Sequence, residues 1–60
     1  MFNFMDATSR LADHLGVSQE QLIKAIATVD KLDNGFRIEV TWDGGTSYKS
    51  YVVVNGISEI

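Results

Sequence analysis

The run Leu11-Ala12-Asp13-His14-Leu15-Gly16-Val17-Ser18-Gln19-Glu20-Gln21-Leu22 constrains the fold more than any other stretch of the chain. Gly16 marks the end of a helix, because only glycine takes the left-handed position after a C-terminus without steric cost. Ser18 and Gln21 have the spacing of a capping box, and Val17 and Leu22 that of a hydrophobic staple. One helix that ends and another that starts across so short a turn must pack as neighbours. The first is predicted over Phe4–Leu15, with Asn3 as N-cap and Asp6 in the first turn, where a negative charge suits the helix dipole. Phe4, Leu11 and Leu15 form its apolar stripe, flanked by Met5 and Ala12. The second is predicted to run on from its Ser18 cap, with Leu22, Ile23, Ile26 and Val29 buried and Leu32 or Ala25 completing the stripe. Asp33-Asn34-Gly35 then stops it.

From Phe36 the hydrophobic period falls from 3.6 to 2. Phe36, Ile38, Val40 and Trp42 alternate with Arg37, Glu39 and Thr41, which predicts a half-buried strand over 36–42. Asp43-Gly44-Gly45 reads as the turn, and a return strand is expected from Thr46 or Ser47 to Val54. A three-residue loop keeps even-numbered residues of both strands on one face. Tyr48, Val52 and Val54 then join Phe36, Ile38 and Val40, and Lys49 stands opposite Glu39 on the polar face. A loop of even length would move Lys49 to the apolar side, which argues against it. Asn55-Gly56 is a two-residue hairpin signal, so a short third strand over 57–60 is expected. The predicted fold is α+β: a two-helix hairpin packed on a two- or three-stranded antiparallel meander, all in a single domain spanning residues 1–60.

A chain of 60 residues buries only about 60% of the surface exposed by its unfolded form. Small domains therefore usually draw on a disulfide, a metal or a partner subunit. With no cysteine and a single histidine, His14, disulfides and thiolate metal sites are excluded, and no metal or other cofactor is expected. Association becomes the remaining source of extra stability. The net charge of −3 and pI near 4.7 weigh against attraction to phosphate or anionic membranes. The segment Met1-Phe2-Asn3-Phe4-Met5-Asp6 has no basic flank and no sustained apolar run, so it is not expected to be a signal peptide. No stretch reaches the roughly 20 apolar residues needed to span a bilayer. A cytoplasmic protein with no membrane partner is expected.

Catalytic constellations are thin. Asp13 and His14 are neighbours on a helix, so their side chains diverge. Asp30 and Asp33 fit the solvated end of a helix, and Gly44-Gly45 lacks the lysine and following helix of a phosphate loop. No serine lies in a nucleophile elbow. The chain is not expected to be an enzyme.

Aromatic residues point toward contact surfaces, where tryptophan and tyrosine are enriched. Trp42 is placed at the hairpin tip, beyond the reach of one helix pair, and Tyr51 and Val53 on the outer sheet face. These three are the candidate protein interface, with self-pairing through a sheet face or a strand edge. The expected function is that of a small acidic, non-catalytic protein-interaction module. It would form a homodimer or bind another protein as a regulator or adaptor.

Leu11, Ala12, Leu15, Gly16, Val17, Ser18 and Leu22 also resemble the helix-turn-helix of bacterial and phage DNA-binding regulators. That resemblance implies that Ser18, Gln19, Gln21 and Lys24 face the major groove, and that the hairpin Arg37–Tyr51 acts as a wing. Such a minimal winged helix-turn-helix regulator is the alternative reading. The acidic balance disfavours DNA as a partner, because phosphate contacts supply much of the binding energy of these proteins.

Overall fold

The computed structural model describes residues 2–60, leaving Met1 outside. Helix α1 spans Phe4–Leu15, and Asn3 and Asp6 cap it reciprocally through side chain and backbone. Gly16 follows with φ +73°, the left-handed stop expected of it. Helix α2 spans Gln19–Ala25 behind the Ser18–Gln21 capping box. Strands β1 (Ile26–Leu32), β2 (Gly35–Val40), β3 (Lys49–Val53) and β4 (Ile57–Glu59) complete an α+β fold. They form one antiparallel meander in the order β1-β2-β3-β4, one strand more than the largest sheet expected.

The extra strand corrects the second helix. Instead of continuing past Val29, α2 stops at Ala25, and Ile26 turns extended at ψ 126°. Leu22, Ile26 and Val29 fit a helical stripe, but a short apolar run rich in β-branched residues fits a strand as well. Pairing decides between them, because β1 finds a partner in β2 along its whole length, from Ile26 against Val40 to Leu32 against Gly35. A bulge between Ile26 and Thr28 absorbs one residue. Ile23 on α2 and Val29 on the edge strand are exposed rather than buried. Asp33 and Asn34 form the two-residue turn of a hairpin rather than a helix stop.

The register between β2 and β3 is also corrected. Ile38 faces Tyr51, Glu39 faces Ser50, and Val40 faces Lys49. The strand ends at Val40, and the connection over residues 41–48 has even length. Odd-numbered residues of β3 therefore turn toward the helices. Tyr51 and Val53, expected on the outer face, are buried in the core, while Tyr48 is exposed. Lys49 does stand on the helix side, yet it lies at the strand end and reaches Glu59 on β4 at 3.5 Å. Burying that charge is thus avoided, and the objection to an even loop falls away.

Helix α1 packs on β2 and β3 as well as on α2. The core joins Ala7, Leu11 and Ala12 of α1 and Leu22 and Ala25 of α2 to Phe36, Ile38, Val40, Tyr51 and Val53 of the sheet. Phe4 meets Phe36 edge-on at 5.9 Å between ring centroids. Thr8 is the buried polar residue among those described. Its hydroxyl donates to the Met5 carbonyl and accepts from Gln19 Nε2 at 2.8 Å, so it costs no unsatisfied group.

Candidate functional site

The connection over residues 41–48 builds the most distinctive surface. Its base is fixed to the end of α2, because the Thr41 N–H donates to the Ala25 carbonyl at 2.8 Å. The Thr41 hydroxyl accepts from the Gly45 N–H at 2.8 Å. Asp43 accepts from both the Ser47 N–H and the Ser47 hydroxyl at 3.0 Å, and its own carbonyl accepts from the Thr46 hydroxyl. Gly44 and Gly45 take the positive φ angles, +71° and +98°, that let the chain fold back within this network. The Ser47 amide, and after it the Ser47 hydroxyl, holds the Asp43 carboxyl below its ordinary pKa.

This ordered loop presents Trp42, 48% exposed, and Tyr48, 54% exposed. Between Trp42 and α2 lies an open groove of about 530 Å³ whose apolar wall is Val17, Ala25 and Trp42, with Gln21 and Lys24 at its rim. Of the three expected interface residues, only Trp42 is available on the surface. Tyr51 and Val53 lie beneath α1 and cannot meet a partner while the domain is folded. Tyr48, in the same connection as Trp42, is also exposed. Asp43 and Ser47, four residues apart in a glycine-rich turn, were the sequence signal for an ordered loop, since aspartate bonds readily to nearby backbone N–H groups.

The four residues of the alternative DNA face have other partners. The Ser18 hydroxyl accepts from the Gln21 N–H, and the Gln21 side-chain oxygen accepts from the Ser18 N–H. Gln19 Nε2 turns inward to Met5 and Thr8. Lys24 pairs with Glu20 at 3.7 Å, both well exposed.

The sheet face away from the helices carries polar rows. Glu39 accepts from Thr28 on one side and Ser50 on the other. Arg37 pairs with Asp30 at 3.7 Å. Strand β1 is an edge of the sheet, with exposed residues from Ala27 to Lys31. Among the described residues no three of His, Asp and Glu converge as metal ligands, and no helix is long and apolar enough to cross a membrane. The chain shows no significant match to a known protein family, a curated protein or a solved structure.

Proposed function

We propose that this chain is a small non-catalytic protein-interaction module that self-associates and presents the Trp42 loop to a protein partner. The observation that carries this reading is the half-exposed Trp42, held by the Thr41–Ala25 and Asp43–Ser47 hydrogen bonds beside a groove on α2. A large aromatic side chain on a pre-ordered loop loses little entropy on binding, which is why such residues dominate contact energies. The acidic charge points to a protein partner rather than a nucleic acid. The hydrogen bonds of Ser18, Gln19 and Gln21 to their own domain add to that preference.

Peptides selected from a random library on the full chain should lose binding to Trp42→Ala while still recognising folded variants altered elsewhere. Binding that survives the substitution rejects the loop as the contact surface. Light-scattering mass with and without mixed-sequence duplex DNA at low salt separates the alternatives. A mass above the monomer that ignores DNA supports the module. Comigration with DNA that fades as salt rises supports the helix-turn-helix reading instead.

A further inference from the structure

We propose that two copies of the chain join through their β1 edges, running antiparallel about a two-fold axis at Asp30, to make one continuous sheet; this rests on the self-association part of the reading above. The backbone sets the register. In an antiparallel ladder, facing residues alternate between pairs that exchange both backbone hydrogen bonds and pairs that exchange none. Leu32 and Gly35 close the two-residue turn between β1 and β2, so they are a bonded pair. Counting back by two makes Asp30 with Arg37, and Thr28 with Glu39, bonded pairs as well. The other end of the ladder agrees: the N–H of Thr41, also odd-numbered, donates to the Ala25 carbonyl, and the bulge at Ala27 takes up the extra residue. The N–H and C=O groups of Val29 and Lys31 therefore point away from the sheet.

A second β1 uses all of those groups when Val29 lies opposite Lys31 of the second copy and Lys31 lies opposite its Val29. The axis then falls at Asp30. Facing carboxylates normally repel, but each Asp30 is 3.7 Å from its own Arg37 on the next strand. The row across the junction reads Arg37, Asp30, Asp30, Arg37 and is electrically neutral. On the helix side, the aliphatic stem of Lys31 lies across the exposed Val29 of the second copy while its ammonium stays in water. An axis one residue earlier runs into the bulge at Ala27, and an axis one residue later sets Lys31 against Lys31. An edge of this length falls below the standard interface size, so the dimer is concentration-dependent.

The chain has no cysteine, so single cysteines report the register. Facing residues of a non-bonded pair lie about 4.5 Å apart at Cα, within the span of a disulfide. Asp30→Cys should oxidise to a covalent dimer. Val29→Cys and Lys31→Cys should each form no covalent dimer alone, their non-covalent dimers intact, yet cross-link when mixed, which keeps Asp30 and Arg37 intact. Lys31→Pro removes an outward donor, a change that edge strands tolerate. It should keep its circular dichroism and lose the dimer mass. If the parent chain is monomeric at every concentration, self-association and this proposal fall together. If the parent is dimeric but Lys31→Pro stays dimeric, or neither cysteine arrangement cross-links, only the β1 pairing is overturned.

Discussion

Gly35 shows how one side chain's absence can be imposed from a distance. A Cβ there would run into the Val53 carbonyl oxygen at the end of β3 and the Val54 methyl group just beyond it. Gly35→Ala should therefore destabilise the domain by about 1–3 kcal/mol, the usual cost of forced overpacking, read by urea denaturation. At Gly16 a Cβ would meet nothing, so only the left-handed backbone penalises Gly16→Ala, at about 1–2 kcal/mol. Asp43 gives a pH signature of its own. Its folded pKa lies below the ordinary 3.8 because of the Ser47 bonds. The stability it contributes is present above that ordinary value and is lost as pH falls through the lower folded one. Asp43→Asn should remove this acid-side fall in the thermal midpoint and leave the rest of the pH profile unchanged.

At the scale of elements, both helix starts were legible because N-capping is a local device. The Ser18–Gln21 box is complete within four residues and Asn3 reads as a cap, while the return bond from Asp6 to Asn3 emerges only in the structure. Ser18→Ala should cost about 1 kcal/mol by removing one such bond, measured by chemical denaturation. Strand β1 was not legible for the opposite reason. Ile26 and Val29 fit the helical period, whereas three residues apart they fall on opposite faces of a regular strand. The bulge at Ala27 reconciles them with β1, and what settles the matter is the β2 strand they pair with, which no local pattern displays. The β2–β3 register failed on one residue, Lys49, taken as unable to share a face with the core. At a strand end, a lysine escapes burial by reaching sideways to Glu59. That slip of parity sent Tyr51 and Val53 to the wrong face. Trp42 survived as a surface residue because its position at the loop does not depend on parity.

For the whole molecule, stability of roughly 0.05–0.15 kcal/mol per residue gives a 60-residue chain only about 3–9 kcal/mol. Ile38 is fully buried at the centre of the sheet, and Ile38→Ala should remove about 2–5 kcal/mol. The variant should therefore show a substantial unfolded fraction at room temperature by circular dichroism. So narrow a margin also bears on the place where α2 becomes β1. Ala25 ends the helix and Ile26 begins the strand, with no residue between them. Most connections between elements have slack, and evolution can lengthen or shorten them freely. Here an inserted residue would rotate every following β1 side chain to the opposite face unless the bulge at Ala27 absorbed it. Helix and strand thus behave as a single cranked rod, and related sequences should vary in length at residues 54–56 while keeping this joint at constant length.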